Sequence, residues 1–224
     1  MKVELVVFDM AGTTVDEDNV VYKTVQSTLT EAGYQVSQEQ VLAAGAGKEK
    51  SQAIHDVLTL VGPAPSDETV QALFANFQKN LARAYQELDV REQPGAAACF
   101  ATLRAAGVKV VLNTGYNRAT AEGLLAKLDW QIGRDLDDLV TASDVARGRP
   151  HGDMIELAMS RQGLSDPAKV AKIGDSAIDI EEGHRAHCGF TFGITTGAQT
   201  REQLTAARPT AIVASLAEMT ALLA

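Results

Sequence analysis

The chain has 224 residues, 46% of them hydrophobic and 22% charged, with a formal net charge of -9. That length holds one large domain or one domain with an insert, and the apolar content is ample for a core. The acidic balance excludes the basic footprint that nucleic-acid binding needs, and no apolar stretch approaches the length of a membrane span. The first residues lack a basic region followed by an apolar run, so no signal peptide is expected and a cytoplasmic location is. Cys99 and Cys188 have no metal-ligand spacing and read as reduced core thiols.

In chain order, Val3 to Phe8 is a short Val-rich run that reads as a buried parallel strand, followed by Asp9-Met10-Ala11-Gly12-Thr13-Thr14. Residues 15 to 92 then show helical periodicity and no convincing strand. Val20, Val21, Thr24, Val25, Thr28 and Leu29 mark the face of a helix ended by Gly33, and Ser37 with Gln40 forms a capping box for a second. A third runs from Lys50 to Leu60 and stops at Gly62-Pro63-Ala64-Pro65. Ser66 caps a long fourth helix to about Leu88, with Val70, Leu73, Phe74, Phe77, Leu81 and Tyr85 on its inner face.

From Pro94 strands and helices alternate. Helices are expected over 95–106, 118–128, 153–162, 181–186 and from 215, and strands over 108–112, 139–141, 169–173, 190–194 and 211–213, with a turn at Asn113-Thr114-Gly115. The expected fold is α/β: a doubly wound parallel sheet formed by residues 1–14 and 93–224, with residues 15–92 as an inserted all-helical domain. Ligands of such sheets bind beyond the carboxyl ends of the strands. Asp9, Thr114-Gly115, Gly174-Asp175 and Asp179 stand at or beyond those ends, and Arg149 precedes a core helix. Carboxylates gathered at one sheet edge repel, and a hard divalent cation, Mg²⁺, relieves this with carboxylate, water and phosphate oxygens. Arg149 suits a phosphoryl group, and the hydroxyl and N–H groups of Thr114-Gly115 suit its remaining oxygens.

With these motifs the sequence resembles the haloacid dehalogenase superfamily, and within it phosphonoacetaldehyde hydrolase and the phosphonatase-like hydrolases. Asp9-x-Ala11-Gly12-Thr13, Thr114, Arg149 and Gly174-Asp175-x-x-x-Asp179 match its four motifs in order. The resemblance implies a haloacid dehalogenase-like core with a mobile helical cap. It implies that Asp9 is a nucleophile forming an aspartyl phosphate and that Gly12, Thr13, Thr114, Gly115 and Arg149 hold the phosphoryl group. Asp9, the Ala11 carbonyl, Asp175 and Asp179 would hold the metal.

Position 11 departs from the phosphatases of this superfamily, which carry a second Asp there as general acid. Ala11, together with Gly148-Arg149-Pro150 and Thr114-Gly115-Tyr116, resembles the phosphonatase group. That group carries a cap lysine, after Gly-x-x, that forms a Schiff base with the substrate. Gly47-x-x-Lys50 and Gly45-x-x-Lys48 both satisfy the pattern, and Lys50 is preferred for its spacing from Asp9. Ala46 and Ala53 stand where the group carries Met and His, so the substrate need not be phosphonoacetaldehyde. His55, His151, His184 and His187 receive no role. The implied reaction is C–P cleavage in a small 2-oxo-phosphonate, with hydrolysis of a phosphomonoester or pyrophosphate as the alternative. The expected partner is a small-molecule phosphonate or phosphate, with no nucleic acid and no membrane, and a homodimer is left open.

Overall fold

The computed structural model describes residues 3–46 and 48–223, which fall into two compact units, one of residues 1–16 and 90–224 and the other Glu17–Asp89. In chain order the first unit contains β1 (Leu5–Asp9) and β2 (Val15–Asp16). After the helical unit, with α1 (Val20–Glu31), α2 (Gln38–Gly45), α3 (Lys50–Val61) and α4 (Asp67–Glu87), the first unit resumes at β3 (Arg91–Glu92). It continues through α5 (Ala96–Ala105), β4 (Lys109–Thr114), α6 (Arg118–Lys127), β5 (Asp138–Thr141) and α7 (Asp153–Arg161). It ends with β6 (Val170–Gly174), α8 (Ala177–Arg185), β7 (Phe190–Ile194), α9 (Arg201–Ala206), β8 (Ala211–Val213) and α10 (Leu216–Leu223).

Six strands form one parallel sheet in the order β5-β4-β1-β6-β7-β8. β1 is central because every one of its side chains is apolar or buried and both of its faces are covered. Leu5 and Val7 join Val111, Val140, Met154, Ile155 and Ala158 in the core beneath α7. On the opposite face Phe8 meets Phe100 of α5 edge-on at 5.2 Å, and Phe100 meets Trp130 at 5.1 Å. The chain leaves β1 toward β4 on one side and reaches β6 on the other, so the order reverses at β1 and opens a crevice at its carboxyl end.

In the helical unit the expected faces form. α1 buries Val20, Val21, Thr24, Val25, Thr28 and Leu29, and α4 buries Val70, Leu73, Phe77 and Leu81, with Phe74 and Tyr85 only half-buried. The Ser37–Gln40 capping box is present in both directions.

Four differences from the sequence reading have local causes. Val15–Asp16 and Arg91–Glu92 pair as an antiparallel ribbon, where no strand was expected, because two-residue strands are too short to show periodicity. β1 and β4 each end later than expected, carrying Asp9 and Asn113-Thr114 inside the sheet instead of in the turns that follow. α8 begins four residues early and takes Asp179 into its first turn. α9, capped by Thr200 and Gln203, was not foreseen.

Candidate active site

The carboxyl end of β1 fixes the site. Asp9 is paired with Asn113 of β4 and stands one residue beyond the level of Ile173 in β6. Beyond Asp9 the chain turns tightly: the Thr13, Thr14 and Val15 N–H groups all donate to the Met10 carbonyl, and the Thr14 hydroxyl donates to the Asp9 carbonyl at 2.9 Å. Gly12 holds a positive φ of 76°, and a Cβ there would collide with Asp175 Oδ2. Gly197, in the loop after β7, crowds the same carboxylate from the other side, while the Ala198 N–H donates to Asp175 Oδ2 at 2.6 Å. Two glycines thus let backbone close around one carboxylate.

Asp9, Asp175 and Asp179 are buried and can each place an oxygen within 4.8 Å of the others. Arg149 reaches into this group. Its Nη1 lies 2.7 Å from Asp9 Oδ1 and 2.9 Å from Asp179 Oδ1. Asp179 Oδ2 accepts from the Ser176 hydroxyl at 2.5 Å. Asp179 Oδ1 is held between two cations, Arg149 at 2.9 Å and Lys172 at 3.1 Å, while the fully buried Thr13 hydroxyl lacks a hydrogen-bond partner among the described residues. A buried hydroxyl left so is uncommon and points to a missing ligand.

The electrostatics agree. Burial raises Asp9, with Arg149 opposing and Asp179 reinforcing the shift. Burial, then the charges of Asp9 and Asp179, push Asp175 well above the usual carboxylate range. Asp179 is lowered, because Arg149 and Lys172 outweigh its burial. Burial acts to lower Arg149, but Asp179, Asp9 and Glu182 overcome it and raise the guanidinium further. Counting Glu182 and Lys172, four acids here face two bases. A divalent cation fits this group: its donors are hard carboxylate oxygens, the acids outnumber the bases by two, and glycine backbone leaves Asp175 room at close quarters.

The remaining expected residues are placed as follows. Thr114 ends β4 beside Asp9's strand, buried, and its hydroxyl oxygen accepts from the Tyr116 N–H at 3.2 Å, which leaves the hydroxyl as a donor. Gly115 follows in open space. Ala11 is half-buried in the turn after Asp9. Lys50 belongs to the other unit. There it opens α3, donating to the Lys48 carbonyl at 2.6 Å and standing 5.2 Å above the Tyr22 ring. Lys48 pairs with Asp56 at 2.6 Å. Gly47, part of the lysine pattern, lies outside the described residues. Ala53 is 1% exposed and packs on Gly45, so a histidine would not fit there without repacking. His55 pairs with Asp56, and His184 Nε2 stands 3.3 Å from the Thr191 hydroxyl. Cys99 and Cys188 are both free thiols, and burial pushes Cys188 up to about 12.

Sequence reasoning missed Lys172, Glu182 and Asn113. Lys172 is fully buried in the middle of β6, and Glu182 is fully buried in α8. The available signal was Lys172 itself, a charge inside an otherwise apolar strand, which has to find a partner.

Comparison with known proteins places this arrangement. A family profile described as "Hydrolase: haloacid dehalogenase-like hydrolase" matches residues 3–187. The chain is 30% identical over 210 residues to a phosphonoacetaldehyde hydrolase of Bacillus thuringiensis (strain Al Hakam), covering 88% of this chain and 78% of that one. It is 29% identical over 222 residues to "Probable phosphatase IndB" of Dickeya dadantii (strain 3937), covering 96% of this chain and 91% of that protein. The crystal structure of a phosphonoacetaldehyde hydrolase-like protein from Oleispira antarctica superposes with a TM-score of 0.85 at 25% identity, covering 100% of this chain and 92% of that one. Among the described residues no helix is long and apolar enough to cross a membrane.

Proposed function

The chain belongs to the haloacid dehalogenase-like hydrolases, and on that premise we propose that it cleaves the C–P bond of a small 2-oxo-phosphonate. The observation that carries this reading is Ala11, half-buried two residues after Asp9, where a phosphatase needs a proton donor. An alkoxide leaving group needs that proton on its bridging oxygen. A carbon leaving group has no bridging oxygen to protonate and needs an electron sink beside the departing carbon.

The neutral Lys50 amine adds to the substrate carbonyl, and with one proton taken up from solvent the adduct loses water to form an iminium. An Asp9 carboxylate oxygen attacks phosphorus. The C–P bond breaks, and its electron pair enters the iminium to give a neutral enamine and an aspartyl phosphate. Water hydrolyses the aspartyl phosphate. The enamine takes a proton on carbon, and hydrolysis of the resulting iminium returns Lys50 and releases the carbonyl product. Arg149 and the hydroxyls of Thr13 and Thr114 hold the phosphoryl oxygens, with Gly12 and Gly115 letting the backbone approach. The helical unit serves as the cap. Mg²⁺, held by Asp9, Asp175, Asp179 and the Ala11 carbonyl, would neutralise the carboxylates and the phosphoryl oxygens.

A second reading, hydrolysis of an ordinary phosphate ester with a good leaving group, is favoured by the similarity to a protein named as a phosphatase. Phosphate release from a panel of 2-oxo-phosphonates beside small phosphate monoesters separates the two. Turnover of the phosphonates at least tenfold faster is expected, and turnover of the esters alone would replace the first reading by the second.

The metal leaves a second signature. Raised Asp9 and Asp175 hold protons more tightly in the folded protein than in the unfolded chain. Their contribution to metal-free stability is therefore present in acid and lost as pH rises through their folded values. Mg²⁺ binds the deprotonated carboxylates and restores what is lost. The increase in Tm on adding Mg²⁺, measured against a chelated sample, is expected to be small in acid and to grow as pH rises out of the ordinary carboxylate range. An increase that is flat or largest in acid would reject the carboxylate metal site.

A further inference from the structure

Behind Arg149 lies a set of buried polar groups to which the catalytic steps above give no role, joined to the carboxylates through Lys172 Nζ, 3.1 Å from Asp179 Oδ1. The guanidinium spends three of its contacts there: Nε donates to Glu182 Oε2 at 3.0 Å, and Nη2 donates to the Asn113 carbonyl at 3.0 Å and to Asn113 Oδ1 at 2.8 Å. Lys172 Nζ donates to the same Asn113 Oδ1 at 2.6 Å and pairs with the same Glu182 Oε2 at 3.2 Å. Asn113 Nδ2 closes the ring by donating to Glu182 Oε1 at 2.8 Å. The side chains of Lys172 and Glu182 are both 0% exposed.

Each element contributes by register. Asn113 sits on β4 directly beside Asp9, Lys172 stands in β6 on the other side of β1, and Glu182 lies one turn after Asp179 on α8. Gly183, next to Glu182, lets α8 approach β6 closely enough, since a Cβ there would stand 3.0 Å from Lys172 Cβ. Burying an acid and a base together is costly unless every contact is made, and here both are shared with a third group.

With Nε and Nη2 held from behind, Nη1 is the edge turned toward Asp9 and Asp179. We propose that Glu182 and Lys172, joined through Asn113, are positioning residues that fix the Arg149 guanidinium with Nη1 facing the phosphoryl group at Asp9. Without Glu182 the fork loses the acceptor that sets its plane. Without Lys172 the uncompensated Glu182 and Asp179 draw Arg149 inward. The inference rests on the reading that Asp9 receives a phosphoryl group, and it assigns neither residue a contact with substrate.

The test is calorimetric titration of inorganic phosphate into Mg²⁺-loaded protein, with Mg²⁺ binding measured separately. Glu182→Gln is the first variant and Lys172→Met the second, so that failure of one to fold leaves the other to decide. The expected result is a phosphate Kd raised at least tenfold with the Mg²⁺ Kd no more than threefold weaker, because Glu182 pairs with Arg149 and Lys172, and Lys172, 3.1 Å from Asp179 Oδ1, is a cation whose loss does not weaken the binding of another cation there. A merely structural role would weaken phosphate and Mg²⁺ together, and that outcome overturns the assignment. So does a phosphate Kd within threefold of wild type in a folded variant. If the unaltered Mg²⁺-loaded protein binds no phosphate at all, the phosphoryl reading of Asp9 fails and the positioning role fails with it.

Discussion

Asp9→Asn is expected to lower turnover by at least ~10³-fold, about 4 kcal/mol of barrier, while leaving the protein folded. Asparagine keeps the size of the side chain and an acceptor for Arg149 Nη1, which stands 2.7 Å from Asp9 Oδ1. It lacks the charge that attacks phosphorus. The stability result should run the other way. Asp9 is buried at the end of β1 beside Asp179 and Asp175, and burial raises it. In metal-free protein at neutral pH the asparagine variant should therefore melt no lower than the original, because one of several crowded carboxylates has been removed. Steady-state kinetics and a melting curve check both halves. A folded variant keeping more than a tenth of the activity would exclude the aspartyl phosphate.

Lys50→Arg is expected to abolish C–P cleavage, again by at least ~10³-fold. Arginine retains a cation over the Tyr22 ring and a donor toward the Lys48 carbonyl, so the start of α3 should hold. What it loses is an amine able to condense with a carbonyl. Borohydride added with a 2-oxo-phosphonate should deliver hydride to the iminium carbon and leave a stable secondary amine on Lys50, identifiable by mass spectrometry of the digested protein. Lys48 is the internal control. Its ammonium is paired with Asp56 at 2.6 Å, an ion pair that a neutral amine would forfeit. Normal phosphonate cleavage by Lys50→Arg, with no adduct on either lysine, would rule out the imine and leave the phosphate-ester reading.

The residues that were legible in the sequence share a physical position. Asp9, Thr114 and Asp175 sit where an apolar strand stops, and a polar residue at such an edge stands out against its neighbours. Arg149 and Asp179 became legible through their motifs. Asp179 occupies the first turn of α8, the place an ordinary helix-start acid would take, and only its proximity to Arg149 and Lys172 separates the two roles. Asn113, Lys172 and Glu182 were not legible, because their meeting depends on register across three elements that no local pattern encodes. The Ala198 N–H on Asp175 was hidden for another reason: a backbone donor carries no side-chain signature. The parallel sheet and the helical faces were legible because burial imposes a period, and the β2–β3 ribbon was not because two residues cannot display one.

That ribbon bears on how the chain finds its fold. β1 must pair with β4 and β6, whose partners for Leu5 are Lys109 and Val170, far along the sequence. Contacts so distant ordinarily slow folding, since the intervening chain has to be closed first. Pairing Val15 with Glu92 and Asp16 with Arg91, continued by the Gln93 N–H on the Thr14 carbonyl, joins the two ends of the Glu17–Asp89 excursion side by side. Once that stitch forms, the route from β1 to β4 is only the short turn after Asp9 and the helix α5. Closure entropy grows only logarithmically with loop length, about 0.6 kcal/mol per doubling, so the remaining search for β1 proceeds almost as if the helices between were absent. The cost of closing the insertion falls on that stitch and grows slowly with length, so lengthening the insertion is expected to slow formation of the sheet only weakly.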